Sequence, residues 1–445
     1  MKRYAKTVGA LVILGALWAS INFYNKRKSP ESSKSSEPSK EMILPVKADQ
    51  VQSFTVTPRD GQAFTCVRGT NKTWAITEPN KLAADQSAVS SFVENLVGVS
   101  VNSVVDPNPG NLKDFGLDPP VTILSVSTSG KPAQFTLRIG DPTPTNDAVY
   151  AQVAGSPRLI TLPSYGKSAL EKTLFDLRDR RIVTLDTDQI QQLEVSNGAK
   201  SYKLAKNPDG QWDLVLPPPV RADSFAVDNV VSQFRSRPMM SILVEDKKDA
   251  GQYGFGSPTL TVKLTSGAAT QTVVVGKKDG SNYDAINSVL EPVFTIGGDF
   301  VTALQKDPAD LRDKNLFSFS SYDAKTIDIT TAKDHRVFQQ NDFKWKQTQP
   351  SAKDEPTDKM QDLLNALSDL RAFSFPKATP GNFAPFGLSK PLYTVKAIFG
   401  DKNRVETVEV GSVGDKYYAR RDPDPIPGEV PKAQVDSIDK ALGAL

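Results

Sequence analysis

Nucleophilic and metal chemistry draws mostly on cysteine, histidine and clustered carboxylates, and this sequence is poor in the first two. It holds one cysteine, Cys66, and one histidine, His335. A Ser-His-Asp or Cys-His arrangement would have to run through His335. That residue sits in the polar run Lys333-Asp-His-Arg336 and reads as a solvated turn residue between two strands. Cys66 lies in Phe64-Thr-Cys-Val67, where a small buried hydrophobe is expected. Metal sites built on several histidines and cysteines are excluded by counting. The best acidic groupings are Asp422 and Asp424 with Glu429, and Asp106 with Asp114. Neither has EF-hand spacing, so turns are expected there. Gly276-Lys-Lys-Asp-Gly280 lacks the Gly-Lys-Ser/Thr ending of a phosphate loop, and Tyr253-Gly-Phe-Gly256 is not a dinucleotide fingerprint. A pair of acids meeting in space leaves no mark in a sequence. The residues therefore nominate no catalytic group, metal or cofactor.

Length and charge narrow the class. At roughly 100–200 residues per domain, 445 residues imply two to four domains. Lysine and arginine total 54 against 51 acids. That balance gives no basic face for nucleic acid. With a single cysteine there is no intrachain disulfide, so stability must come from packed cores.

The chain opens with an apolar run, Val8 to Tyr24, in which Ser20 and Asn22 are the clearly polar members. Lys2, Arg3 and Lys6 precede it; Lys26, Arg27 and Lys28 follow. As a helix it would span about 26 Å, at the short end for a bilayer core. A cleaved signal peptide is the rival reading, but Trp18 stands where cleavage at Trp18-Ala19-Ser20 needs a small residue. The expected layout is a short tail at 1–7, a single transmembrane anchor at 8–24 and a disordered stalk at 25–47. The expected setting is the inner membrane, N-terminus inside, with the bulk of the chain periplasmic or extracellular. Ser29 to Glu41 carries no apolar residue and cannot bury surface.

What organises the rest is repetition. From Trp74, Trp212 and Trp345, the fifth residue on is always proline: Pro79, Pro217 and Pro350. Further on come Phe115-Gly116, Tyr253-Gly254 and Phe386-Gly387, then Pro120, Pro258 and Pro391, all at fixed offsets. Between them three helical stripes coincide: Val89, Phe92, Val93, Leu96; Val227, Val230, Val231, Phe234; and Met360, Leu363, Leu364, Leu367. Each has the i, i+3, i+4, i+7 spacing of an amphipathic helix. Asp85 and Asp223 suit N-caps, and Thr357 is the candidate for the third. Later segments alternate like strands and end in Gly140, Gly276 and Gly411. Tyr150-Ala151 and Tyr418-Ala419 match one another, with Tyr283-Asp284-Ala285 a looser counterpart. The expected fold class is α+β. Three tandem repeats, 48–186, 187–321 and 322–445, each place one amphipathic helix on a mostly antiparallel sheet. Two strands precede the helix and three or four follow it. The tryptophans read as core residues; a carbohydrate platform is the alternative.

These marks resemble the bacterial family catalogued as domain of unknown function 4340. Its pattern runs Trp-x-Ile-x-x-Pro, amphipathic helix, Phe-Gly-Leu-x-x-Pro, then a strand ending Ile-Gly. Here those are Trp74 to Pro79, Phe115-Gly116-Leu117 to Pro120, and Ile139-Gly140. The second repeat departs at Phe255 and the third at Gln347. The resemblance implies a single-pass membrane protein associated with transport systems of the ATP-binding-cassette type, with no catalytic residues to carry over.

Two repeats end alike, in Asp176-Leu-Arg-Asp179 and Asp310-Leu-Arg-Asp313, and the third has no such segment. Arg178 and Arg312 are therefore expected at the junctions, at least half buried and bonded to acids or backbone carbonyls near the start of the next repeat, with a surface ion pair as the alternative. The functional expectation is a non-catalytic, membrane-anchored scaffold or accessory subunit with protein partners. An extracytoplasmic glycan- or lipid-binding module is the alternative, and its mark would be an exposed aromatic cleft that one repeat has and the others lack.

Overall fold

The computed structural model describes residues 41–445, apart from 198–199 and 216–218. The expected anchor at 8–24 and most of the stalk thus lie outside the described residues, as does Pro217. Among the described residues no helix is long and apolar enough to cross a membrane. The chain divides into two compact units, one ending at Asp179 and one running from Arg180 to Leu445.

The first unit contains β1 (Val51–Pro58), β2 (Phe64–Arg68), β3 (Trp74–Glu78), β4 (Leu82–Ala83), helix α1 (Gln86–Gly98), β5 (Ser103–Asp106), β6 (Thr122–Thr128), β7 (Gln134–Pro142), β8 (Ala148–Val153) and β9 (Leu159–Pro163). Two short helices close it, α2 (Ser164–Leu170) and α3 (Leu174–Leu177). The strands form one antiparallel sheet ordered β4-β3-β2-β1-β6-β7-β8-β9-β5.

The second unit holds two more sheets. One comprises β10 (Gln192–Ser196), β11 (Tyr202–Lys206), β12 (Trp212–Leu214), β13 (Val220–Arg221), β14 (Ser241–Val244), β15 (Leu260–Ser266), β16 (Ala269–Asp279), β17 (Asn282–Asn287) and β18 (Val293–Gly297), with helices α4 (Ser224–Ser236) and α5 (Gly298–Leu304). The other comprises β19 (Ala324–Thr331), β20 (His335–Asn341), β21 (Lys344–Gln349), β22 (Lys353–Glu355), β23 (Tyr393–Phe399), β24 (Arg404–Val413), β25 (Lys416–Arg421) and β26 (Gly428–Val430), with α6 (Thr357–Ser368) and α7 (Lys432–Gly443). The order of the first of these, β13-β12-β11-β10-β15-β16-β17-β18-β14, repeats that of the first unit; that of the other, β22-β21-β20-β19-β23-β24-β25-β26, does so without a counterpart of the edge strand β5 or β14. The α+β class and the antiparallel sheets are as expected.

The detail is richer than expected. Four strands precede each main helix where two were expected, and β4, β13 and β22 among them are only two or three residues long and carry no alternation to read. Five strands follow the helix in the first two sheets and four in the third, where three or four were expected; the extra strand is the short edge strand β5 or β14. A second helix follows the last long strand in every sheet. Short α2 and α5 leave little periodic signal, but α7 buries Val435, Ile438 and Ala441 on one face.

All twelve stripe residues of α1, α4 and α6 are buried. Asp85 caps α1 by accepting from the Ser87 and Ala88 amides, and Asp223 caps α4 through Ala226. Thr357 does not cap α6. It is the first helical residue, and Pro356 takes the cap position without a side-chain bond. The tryptophans are 6, 7 and 4% exposed, in equivalent strands, which removes the carbohydrate-platform alternative.

Each sheet begins with an arm that the sequence placed elsewhere. Ile43 and Leu44 are buried in the first core although the stalk was expected to reach residue 47. Ile182 and Val183 join the second core, and Leu316, Phe317 and Phe319 the third. The boundaries at 186/187 and 321/322 therefore fall beyond these arms. In each case the arm bridges to the chain just past the main helix: Met42 to Ser100, Arg181 to Pro238, Asn315 to Arg371. Such a pairing joins distant positions, so local periodicity cannot reveal it.

The recurring glycines have one cause. Gly116, Gly254 and Gly387 have φ of 65°, 79° and 72°, ending short turns in the left-handed region that glycine tolerates. Those turns lie directly on Gly140, Gly276 and Gly411. A Cβ on Gly140 would collide with the Phe115 carbonyl oxygen, one on Gly276 with that of Tyr253, and one on Gly411 with that of Phe386. The residue after Pro120, Pro258 or Pro391 then resumes pairing, its amide donating to Ile139, Val275 or Val410.

Gly140→Ala should cost at least about 2 kcal/mol, since backbone would have to move to admit the methyl. Gly98→Ala, where a Cβ meets nothing within 4 Å, should change stability by no more than about 1 kcal/mol and in the favourable direction. Denaturant midpoints of the two variants compare them directly; equal effects would refute the close-approach account.

Candidate functional site

The side chains most able to do chemistry are occupied by the fold. Cys66 in β2 is fully buried, and burial pushes its thiol up to about 12, far from a reactive thiolate. His335 opens β20, where a turn was expected, and its Nε2 lies 2.9 Å from Asp328 Oδ1 across the β19–β20 pair. The acidic group near the C-terminus is dispersed among arginines and lysine: Asp422 pairs with Arg420 (3.1 Å), Asp424 with Arg312 (3.2 Å) and Glu429 with Lys416 (3.2 Å). Asp106 accepts from the Asn108 amide in a local turn, and Asp114 lies in the short turn ended by Gly116. Among the described residues no cluster of three or more histidines, cysteines or acids could hold a metal. Gly276 to Asp279 is β16 strand, and Gly280 turns it.

The signature prolines bound strands. Pro79 and Pro350 follow β3 and β21, each after a cis peptide bond. The signature aromatics pack on β8 and β25: Phe115 meets Tyr150 edge-on at 4.9 Å, and Phe386 meets Tyr418 at 5.0 Å. The second sheet breaks this pattern. Ala285 pairs with Val275 as Ala151 pairs with Ile139 and Ala419 with Val410, so Asp284 stands where the other sheets have tyrosine. Its carboxyl is 2% exposed, and Oδ2 has no hydrogen-bond partner. Burial raises its pKa above the usual carboxylate value, opposed by nearby Lys277. The sequence carried this signal as the one imperfect tyrosine match.

The Asp-Leu-Arg-Asp segments serve their own sheets first. The Arg178 backbone bridges to Ala84 and that of Arg312 to Ala222. The Asp85 amide donates to Leu177 O and the Asp223 amide to Leu311 O, so each segment lies against the start of a main helix. Both arginines are deeply buried, Arg178 at 5% and Arg312 at 4% exposure.

Within the second unit the Arg312 side chain crosses to the third sheet. Its Nη2 donates to Asp424 Oδ2 (3.2 Å) and to Ile426 O (3.0 Å), and its guanidinium carbon sits 3.8 Å from the Phe375 ring centre. These partners lie late in the third repeat, not near its start. The β25–β26 connection, distant in sequence, is what the fold brings to the junction. Burial lowers the Arg312 pKa, and Asp424 opposes that shift. Arg421 approaches the same carboxylate at 3.4 Å. Beside it, Arg221 binds Asp313, Glu406 (3.0 Å) and the Asn315 carbonyl (3.0 Å), while Glu406 accepts from the Ser318 amide (2.7 Å). None of Arg221, Glu406 or Arg421 was singled out from sequence: Arg221 and Glu406 meet across the junction, and Arg421 matters there through Asp424, which Arg312 reaches from the second sheet.

An array of antiparallel sheets, each carrying a helix and a glycine-on-glycine turn, defines a modular β-rich protein whose recurrent residues are architectural. A family model described as a domain of unknown function (DUF4340) matches residues 74–236 and again 212–380. The chain belongs to that family. Each match begins at a strand-leading tryptophan and runs to the end of the following sheet's main helix or beyond it, so the family unit is longer than one sheet. No curated protein and no solved structure matches the chain.

Arg312→Ala should cost about 3–5 kcal/mol, because Asp424 stays buried without its main partner. In hydrogen exchange on the full chain, protection should fall in 313–319 and 422–427 while the β10–β15 pair stays protected. Unchanged exchange would show the arginine to be dispensable at the junction. Asp284→Asn should stabilise at neutral pH by about 1 kcal/mol. A folded carboxyl with raised pKa gains stability as pH falls toward its unfolded value, so this advantage should shrink on acidification. Urea midpoints at pH 7 and pH 4 test the sign; an advantage that grows at pH 4 would contradict it.

Proposed function

We propose that this protein is a membrane-anchored, non-catalytic scaffold or accessory subunit, working outside the cytoplasm beside a membrane complex of the ATP-binding-cassette transport kind. The observation that carries this reading is the use made of polar side chains. The unpaired thiol is buried, and Arg221 and Arg312 with Glu406 and Asp424 are spent on holding the second sheet to the third. Residues that recur at fixed spacing build turns and cores. A scaffold needs this kind of geometry, with modules held in fixed relation and surfaces left for partners.

Anchoring rests on the apolar run Val8 to Tyr24 and the basic residues on both sides of it. Its large C-terminal portion crosses regardless of those charges, leaving the short tail inside. The ligand-binding alternative is favoured by one observation, a cleft in the first unit taken up below, and the two roles are compatible.

The full-length chain should sediment with membranes, resist high-salt washing and need detergent for release. A version lacking residues 1–28 should appear in the soluble fraction. From detergent extracts the full chain should co-purify with subunits of a transport complex in stoichiometric amounts. Recovery of the full chain in the soluble fraction would overturn the anchor. Recovery from membranes without any stoichiometric partner would overturn the scaffold role.

A further inference from the structure

The first unit contains a cleft of about 520 Å³ between the β1–β2 hairpin and the connection from α2 to α3. This is within the range of small-molecule sites. Its apolar wall includes Val56, Pro58, Phe64, Val121 and Leu174. The wall is continuous with the core, since Val56 and Phe64 face each other across the β1–β2 pair and are almost fully buried.

The second sheet shows what narrows such a place. There Val195 faces Tyr202 as Val56 faces Phe64. The buried Tyr202 hydroxyl donates to Leu304 O (2.9 Å), which ties strand β11 to the end of α5. Val195, Tyr202 and Pro308 line a space of about 250 Å³. Phe64 has no hydroxyl, so β2 has no such tie to the end of α2, and the first-unit cleft is about twice that size.

The unpaired charge at the mouth is mostly positive. Arg59 is held by three backbone carbonyls, those of Gly116 (3.1 Å), Pro119 (2.6 Å) and Pro120 (3.3 Å). Carbonyls position a guanidinium without cancelling its charge, and Nη1 makes none of these bonds. Neither Arg59 nor Lys172, also on the rim, has an ion-pair partner among the described residues. Of the two rim acids, Glu171 is paired with Lys167 (3.5 Å), and Asp60 is exposed. Two uncompensated cations, one of them fixed in place, thus stand over an apolar wall against a single free acid.

We propose that this cleft binds a single-chain amphiphile with an anionic head, of the fatty-acid type, its chain along Phe64 and Leu174 and its carboxylate at Arg59 and Lys172. Desolvation of the chain supplies most of the affinity, and the paired cations select the head group. This inference does not depend on the scaffold reading, since it concerns one unit and one small ligand.

Titration of the full-length chain with dodecanoate, followed calorimetrically below the micelle concentration, tests it. The expected result is one saturable site per chain, with dodecanol at least about tenfold weaker because it lacks the charge. Leu174→Trp, which fills the cleft, should abolish binding, and Lys172→Glu should weaken dodecanoate about tenfold while leaving dodecanol unchanged. Thermal melts of both variants confirm that they fold; Lys172 is on the rim, so its variant remains informative should Leu174→Trp melt early. Absence of saturable dodecanoate binding, equal binding of dodecanol, or binding unaffected by Lys172→Glu would each overturn the proposal.

Discussion

Everything in this architecture turns on a close approach of two backbones. A turn ending in a left-handed glycine lies against a glycine in the neighbouring strand; the first needs a φ that side chains disfavour, and the second has no room for a Cβ. Two motifs separated in sequence therefore answer to one steric constraint. The aromatic before the first glycine anchors the turn on the next strand in the first and third sheets, by edge-on contact with a tyrosine. Once the turn is seated, the proline that follows starts a strand whose register brings the rest of the sheet into place.

The second sheet keeps the glycine contact and gives up the tyrosine. Asp284 then holds a buried carboxylate oxygen without a hydrogen bond, an arrangement that costs stability at neutral pH. The same sheet carries the charges that secure its neighbour. Arg221 with Asp313 and Glu406 forms one such set and Arg312 and Arg421 with Asp424 another, and most members of both are screened from water. Such a set adds little net stability compared with apolar packing, but losing one member is costly. It therefore suits the fixing of a relative orientation better than the strengthening of a core, as a scaffold would require.

The first sheet differs again. Replacement of the Tyr202 position by Phe64 removes one tie between strand and helix and leaves a cleft whose rim cations are unpaired. Repetition thus supplies one framework three times, and single substitutions within it give each copy a separate property. A repeat unit whose core is already satisfied can accept such changes at its margins with small effect on folding.

The sequence alone determined the period, the class of fold, the three main helices and the burial of the tryptophans. These follow from local regularities: apolar spacing at 3.6 residues, alternation in strands, and glycine where a backbone needs it. It also excluded multi-histidine and multi-cysteine chemistry by count. Tertiary structure alone decided where each module begins, because the arms at 41–46, 180–185 and 314–319 pair with chain well beyond the reach of any local pattern. It alone showed that Arg312 meets Asp424 and not a residue at the start of the third repeat, since the β25–β26 connection returns to the junction only once the sheet is assembled. The cleft beside Phe64 was hidden for the same reason. Its wall comes from three separated stretches of chain, and the feature that opens it is a bond that the second sheet makes and the first cannot.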